Sequence, residues 1–475
     1  MADLPFSLEP QMHIHLIGIG GSGMSAIALV LLGRGHRVSG SDEQASEVTA
    51  VLQAKGATVY EGHRAEQIAG ADVVVTTSAA REENVEIVAA RAAGIPVLKR
   101  AQFLGALMTG KIGIAVAGSH GKTTTTGMIA QILIEAGLDP TVIVGGTVPS
   151  LGANGRYGEG DYFVIEADEY DHMFLGLKPE LAIITSIEHD HPDIFPTSEA
   201  YQAAFAQFAN LLPDGGRLIL CGDDAGVQRF IQSAGNGRFE TTTYGLGTGD
   251  KATHDYEAVD LRSNPLNGVD FLVEADGQTV GLARLRLPGQ HNVRNALAAI
   301  IVAEDLGIDF NVTRTALASF SGINRRFQLI GEIADVTIID DYAHHPTEIE
   351  ATLQAARQRY PGRRIWAVWQ PHTFSRTRLL QERFAQCFTQ ADRVVALAVY
   401  GSRETDDLGL DMEQVVAAIR QPQANYIPNR QDAATYILDR VRPGDVVLTL
   451  GAGDGNAVAQ WILAGLTERY AAGGK

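Results

Sequence analysis

At 475 residues, with 45% hydrophobic and 20% charged side chains, the chain is too long for one hydrophobic core and too apolar to be disordered. About 150 residues per domain suggests roughly three domains. Its 38 Lys and Arg against 56 Asp and Glu leave a net charge of -18, which excludes a general nucleic-acid or anionic-membrane binder but not a small anion in a local basic pocket.

The elements alternate from the start. His13–Ile19 reads as a buried strand, Met24–Gly33 as a helix and Arg37–Ser41 as a second strand. Ala57–Glu61, Asp72–Ser78 and Ile95–Leu98 follow as strands, with a helix over Val85–Ala93. This βαβ rhythm predicts a parallel, doubly wound sheet that ends near Met108, before Thr109-Gly110. A second series opens with Ile112–Ala117 and continues through Asp161–Ala167, Leu181–Ile187 and Arg217–Cys221. From Thr241 to Leu287 shorter alternating runs, with turns at Asn267-Gly268 and Asp276-Gly277, predict an antiparallel addition. After a helix at Asn292–Leu306, a third βαβ series has Val336–Ile339, Ile365–Trp369, Val394–Val399 and Val446–Leu450 as strands. The expected fold class is α/β, with three domains in series at 1–108, 109–325 and 326–475. The outer two are Rossmann-like, and the central one is a P-loop-type ATPase domain with an antiparallel addition.

Cys221 and Cys387 are the only cysteines and form no CxxC pair, so neither a disulfide framework nor a structural zinc site is expected. The N-terminus MADLPFSLEP shows no signal-peptide pattern, and no apolar run is long enough to span a bilayer. The expectation is a cytoplasmic protein without membrane insertion. The sequence names no protein partner.

Two glycine loops carry phosphate chemistry. Gly18-Ile19-Gly20-Gly21-Ser22-Gly23 lies between a strand and a helix, with Met24 next and Asp42 ending the following strand. Such a turn brings backbone close to a pyrophosphate at a helix N-terminus, and the acid suits a ribose or base contact. Gly118-Ser119-His120-Gly121-Lys122-Thr123-Thr124 is a P-loop variant with Val116 where the first glycine usually stands. Its amides would cradle phosphates, Lys122 supply charge, and Thr123 reach Mg²⁺. Glu166 and His191, at strand ends on the same sheet edge, are further metal-ligand candidates. Asp168, Glu169, Asp171, Glu188, Asp190 and Asp193 crowd that edge, some of them as solvated or capping residues.

GIGGSGM, GSHGKTT, EADEYD (Glu166–Asp171), HDHPD (His189–Asp193), DDYAHHPTE (Asp340–Glu348) and PHTFSRTR (Pro371–Arg378) occur in that order. Together they resemble the Mur ligases over essentially the whole chain. The resemblance implies a UDP-sugar on the first domain, ATP and Mg²⁺ on the second and an amino acid on the third. The first loop, Gly18, Gly20, Gly21, Ser22, Gly23 and Met24 with Asp42, would then serve a uridine diphosphate. Gly118, Ser119, His120, Gly121, Lys122, Thr123 and Thr124 would hold the ATP phosphates, with His291, Asn292 and Asn295 against adenine and Arg326 toward the γ-phosphate. Thr123, Glu166 and His191 would hold Mg²⁺. Asp341, Tyr342, His344 and His345 would line the cleft, while His372, Arg376 and Arg378 would orient the amino acid. Ser119, Tyr170 and Thr373 depart from residues common in the family.

The implied reaction is ATP-dependent ligation of L-alanine to the lactyl carboxylate of UDP-N-acetylmuramate through an acyl phosphate. GIGGSGM points to the alanine-adding branch; the alternative is the recycling branch, which attaches a preformed peptide to the same sugar nucleotide. With an α-amino pKa of about 8, under ~10% of the amine is free at pH 7, so a base is useful. His344, His345 and His372 are the candidates, each equally suited to orienting by hydrogen bonds. From other classes, an NAD(P)-linked oxidoreductase and a nucleotide-gated binding protein stand as alternatives.

Overall fold

The structure is a computed structural model that describes residues 8–234, 238–247, 253–420 and 424–472. Its strands form three sheets in chain order. The first comprises β1 (His13–Ile17), β2 (Arg37–Asp42), β3 (Thr58–Glu61), β4 (Val73–Thr76) and β5 (Val97–Lys99) in the order β3-β2-β1-β4-β5. All its pairings are parallel, with Ile14 opposite both Val38 and Val73. The chain builds outward from β1 on one side and then crosses to the other. A crevice therefore opens beyond the C-terminal ends of β1 and β4, where doubly wound sheets take ligands. His13 and His15 sit inside β1 because partners meet them: His13 Nε2 and His15 Nδ1 each lie 2.8 Å from Ser39 Oγ, and His15 Nε2 lies 3.1 Å from Glu86.

The second sheet has ten strands. They are β6 (Ile112–Ala117), β7 (Thr141–Val148), β8 (Ala153–Arg156), β9 (Tyr162–Glu166), β10 (Leu181–Ile184), β11 (Arg217–Cys221), β12 (Glu240–Leu246), β13 (Tyr256–Ser263), β14 (Val269–Ala275) and β15 (Gln278–Arg284), ordered β15-β14-β13-β12-β11-β10-β6-β9-β7-β8. Its centre is parallel and buried on both faces, as its unbroken apolar runs require. The antiparallel addition starts later than the sequence suggests. β12 still runs parallel to β11 and to β13, and only β13, β14 and β15 form an antiparallel meander. The physical cue was local: Asp276 and Gly277 both adopt positive φ and join β14 to β15 as a hairpin turn.

The third sheet, β16 (Gln328–Ile333), β17 (Val336–Asp341), β18 (Ile365–Trp369), β19 (Arg393–Ala396), β20 (Ala424–Tyr426) and β21 (Val446–Leu450), is ordered β16-β17-β21-β18-β19-β20. It is parallel except for β16 against β17.

Packing joins the three units unequally. One apolar cluster runs from Leu16 and Ile27 through Phe103, Leu107 and Met108 to Met173 and Phe174, so the first two units share a core. The third sheet has its own clusters, Ile339, Trp369 and Phe388 on one face and Val336, Trp366 and Ile462 on the other, with no residue before Phe327 in either. Among the described residues, no helix is long and apolar enough to cross a membrane.

Candidate active site

The phosphate loop follows β6 and leads into the helix Lys122–Glu135. Gly118 and Gly121 take φ of 139° and 84°; a Cβ at Gly118 would stand 2.1 Å from Thr185 Oγ1. Two loop amides are already committed, Ser119 N to Ser186 O at 3.0 Å and His120 N to Ser186 Oγ at 2.9 Å. The first-turn amides of the helix have no partner within it, which is the arrangement that suits an anion. Lys122 Nζ donates to Glu169 at 2.9 Å, to Ser119 O at 3.2 Å and to Gly118 O. Burial by itself would lower its pKa, but Glu169, Glu166 and Asp168 together hold it above the usual lysine value.

Thr123 Oγ1 donates to Glu166 Oε1 at 3.0 Å, and Gly145 N donates to Glu166 Oε2 at 2.6 Å. Burial pushes the Glu166 carboxyl up despite Lys122 and these two donors. His191, at positive φ, lies 3.7 Å from Glu169 and meets the Tyr170 ring edge-on. Thr123, Glu166 and His191 all face one cavity of about 780 Å³. Its wall takes Gly20, Ser22 and Gly23 from the first unit, Ser119 and Lys122 from the second, and Tyr342, His344, His372 and Arg376 from the third, with Arg326 from the segment between them.

A second cavity, of about 340 Å³, also borders the phosphate loop. It is lined by His120, Gly121, Thr123, Thr124, His291, Asn292, Asn295, Arg326 and Asp341. Gly121 must be glycine here, because a Cβ would come within 2.6 Å of Asn295 Oδ1. Asn292 Nδ2 anchors to Pro288 O at 2.8 Å. Burial lowers the His291 pKa to about 4, so the ring is neutral near pH 7. Asp223 with Arg294, paired at 2.5 Å, also lines this cavity and belongs to no motif read from the sequence.

The DDYAHHPTE run divides between scaffold and site. Asp341 accepts from Phe327 N and Ala343 N, both at 2.8 Å, and so shapes the turn after β17. Burial raises its pKa to about 6 against these donors and Arg326. His345 caps the helix Pro346–Arg359 and is buried beside the His120 ring at 4.9 Å, outside both cavities. Glu348, whose role the sequence left unread, gathers His120 Nδ1 and Arg326, both at 3.4 Å, and His344 N at 3.2 Å. Burial opposes its ionisation, yet His344, His120 and Arg326 hold the carboxyl well below its usual range. Burial lowers His120 too, but Glu188 and Glu348 outweigh it and bring the ring to about 9.

Two histidines face the main cavity with tautomers that their neighbours set. His344 Nδ1 lies 3.0 Å from Tyr342 O, a carbonyl that can only accept, so Nδ1 carries the proton and Nε2 the lone pair. His372 Nδ1 lies 3.0 Å from Arg376 NH1, which can only donate, so its lone pair is on Nδ1. Burial lowers the two to about 3 and about 4. Arg376 is itself held from the second unit: its guanidinium meets Asp190 Oδ1 at 2.8 and 2.9 Å, and NH1 donates to His372 O at 2.8 Å. Burial works against the Asp190 charge, but Arg376 holds that carboxyl well below the usual range. Asp190 stood among the acids read as solvated or capping; only the tertiary fold brings it to Arg376.

Several expected residues lie elsewhere. Gly18, at φ 77°, packs its α-carbon against Thr77, and Gly21 N donates to Gly18 O inside the loop. Asp42 accepts from Gly20 N at 2.9 Å and so braces the loop from behind. Met24 lies in the apolar core, 1% exposed. Gly118 lines neither cavity, and its carbonyl is taken by Lys122. Arg378 is exposed and donates to Leu408 O at 3.1 Å, away from the cavity.

A phosphate-loop unit between two further α/β units, with one cavity walled by all three, has the layout of an enzyme that uses a nucleotide. Comparison with known proteins is specific. The Mur ligase family catalytic domain matches residues 13–112, the Mur ligase middle domain 116–303 and the Mur ligase glutamate ligase domain 325–453. The chain is 48% identical over 446 residues to the UDP-N-acetylmuramate–L-alanine ligase of Salinibacter ruber, covering 93% of this chain and 92% of that one. It is 45% identical to the Roseiflexus sp. enzyme of the same name, over 96% and 100% of the two chains. Among solved structures, UDP-N-acetylmuramate-alanine ligase MurC of Thermotoga maritima superposes with a TM-score of 0.81 at 30% identity, covering 98% and 100%. A murein peptide ligase of Psychrobacter arcticus gives 0.72 at 28%, covering 96% and 98%. The chain belongs to the Mur ligase family.

Proposed function

We infer that this chain is an ATP-dependent ligase that joins L-alanine to the lactyl carboxylate of UDP-N-acetylmuramate through an acyl phosphate, releasing ADP and phosphate. This is a step of peptidoglycan precursor synthesis, and it draws on the cytoplasmic pools of ATP and sugar nucleotide. The observation that carries the reading is the single cavity on which Gly23 of the first unit, Lys122 of the second and Arg376 of the third converge.

The chemistry follows from that convergence. A carboxylate is a poor electrophile, so it must be activated before an amine attacks. Phosphoryl transfer to it brings one anion against a triphosphate, and Lys122 and Arg326 stand on that wall to offset the charge. Thr123 and Glu166 fit Mg²⁺, since their oxygens already lie 3.0 Å apart on the cavity side and a buried carboxylate gains from a cation beside it. His191 is the nitrogen donor of that set. When bound there, the ion supplies positive charge to the phosphoryl oxygens. The adenosine end occupies the second cavity, against His291, Asn292 and Asn295.

Arg376, steadied by Asp190 and His372, takes the amino-acid carboxylate. His344 presents its Nε2 lone pair to the cavity and accepts an N–H of the incoming amine. With its pKa held low by burial it orients that amine instead of storing its proton. His345, outside the cavity, caps the helix turn. The test is isotopic. Sugar nucleotide carrying ¹⁸O in the lactyl carboxylate should pass one ¹⁸O per turnover to the released phosphate; phosphate free of label would rule out the acyl phosphate.

A further inference from the structure

Arg100 belongs to none of the motifs, yet it occupies the point where the first two units meet. It follows β5 directly and opens the helix Arg100–Leu107. β5 lies on the same side of β1 as β4, so Arg100 emerges at the sheet edge that carries the first glycine loop. Its NH2 donates to Asp168 Oδ2 at 2.8 Å, and its Nε lies 2.8 Å from Met173 Sδ, both on the second unit. These contacts turn NH1 toward Gly23. A Cβ at that glycine would stand only 1.8 Å from NH1, so the guanidinium occupies the space the glycine leaves.

The other four lysine and arginine side chains on the cavity wall are placed differently. Lys122 is held at the phosphate loop, Arg325 pairs with Asp340 on the third unit, Arg326 with Glu348 and Arg376 with Asp190. Arg100 is the cation that touches the first glycine loop. A diphosphate held there brings about two negative charges into a protein whose own net charge is -18. It therefore needs a fixed positive partner with forked donors.

We propose that Arg100 is the diphosphate-binding residue for the sugar nucleotide, with NH1 as the donor and Asp168 holding the guanidinium in position. The inference rests on the assignment of the sugar nucleotide to the first unit and adds the group that recognises its phosphates. Arg100 leans on Asp168, which neighbours Glu169, the partner of Lys122.

Titrations of UDP and of uridine into the full chain test it. Arg100→Gln should weaken UDP about 10- to 100-fold and leave the weaker binding of uridine within twofold, which also reports an intact fold. Arg100→Lys should restore part of the loss, and ATP affinity should stay unchanged in both variants. UDP affinity equal in wild type and Arg100→Gln, or equal losses for UDP and uridine, would overturn the role of Arg100 while leaving the first-unit site in place. A wild-type chain that binds ATP but no UDP would overturn the first-unit assignment itself, and Arg100's role with it.

Discussion

At the scale of single residues, charge pairs decide how the site is held. Arg376 and Asp190 come from different units and are both buried, so neither is stable alone. Asp190→Asn keeps the shape and removes the charge. It should raise KM for alanine about tenfold or more, in line with a lost charge-assisted contact, and leave KM for the sugar nucleotide within about twofold. Equal rises in both constants would mean that Asp190 does not act through Arg376. Acid stability gives an independent check. Burial lowers His291, His344, His345 and His372 to between about 3 and about 4, so the unfolded chain takes up protons first as pH falls below about 6.5. Stability should drop between pH 6.5 and 4. Asp341, raised to about 6, opposes this but is one group against four. His120, raised to about 9, contributes stability below pH 6.5 that is lost as pH rises through 9. Thermal unfolding from pH 5 to 10 should therefore show a maximum near neutrality; a melting temperature that rises steadily toward pH 5 would contradict the buried-histidine account. The residues that sequence reading singled out are those with local signatures, such as Lys122 in its loop. Arg100 and the pairing of Asp190 with Arg376 carry no local signature, since each contact spans a unit border.

At the scale of elements, most strands were legible because parallel strands buried on both faces are unbroken apolar runs; β6, β11, β18 and β21 lie where their sequences put them. β7 and β8 were not legible. Gly145-Gly146 breaks the apolar run of β7, and β8 is the short polar segment ANGR. The glycine pair and this hairpin exist for contact: Gly145 lets Glu166 approach, and Gly155 of β8 sits on the helix Ser22–Gly33. Asn154 adds hydrogen bonds to Ser22 O at 2.7 Å and Ser25 Oγ at 3.0 Å. A Cβ at Gly155 would lie 2.4 Å from Ala26 O, so Gly155→Ala should cost about 1–3 kcal/mol by overpacking and lower the melting temperature by several degrees, roughly 2–4 °C per kcal/mol. An unchanged melting curve would show that the β7–β8 hairpin does not brace the first unit. The DDYAHHPTE run teaches the complementary lesson. Its spacing marked it as chemical, whereas Asp341, His345 and Glu348 largely build the strand-to-helix turn that aims His344.

At the scale of the whole molecule, three units share one cavity but not one core. The first two are joined by apolar packing, and the third meets them through polar pairs such as Asp190–Arg376 and Glu188–Arg383. The connecting segment places Arg325 and Phe327 at positive φ on either side of Arg326, a costly local conformation that contacts around it must hold. On the proposed reading, such an arrangement would let the third unit carry the amino-acid site toward two nucleotides held on the others and exclude water as it closes. The net charge of -18 is compatible with two anionic nucleotides because positive charge is gathered at Arg100, Lys122, Arg326 and Arg376. The central claim is that all three substrates are needed at once and that the amine is alanine. Phosphate release and product mass, followed with UDP-N-acetylmuramate, ATP, Mg²⁺ and a panel of amino acids and a murein tripeptide, test it directly. The account predicts phosphate released only when alanine is present with the sugar nucleotide, matched one for one by a product heavier by alanine less water. Release driven by the tripeptide and not by alanine, or release without any amine acceptor, would contradict it.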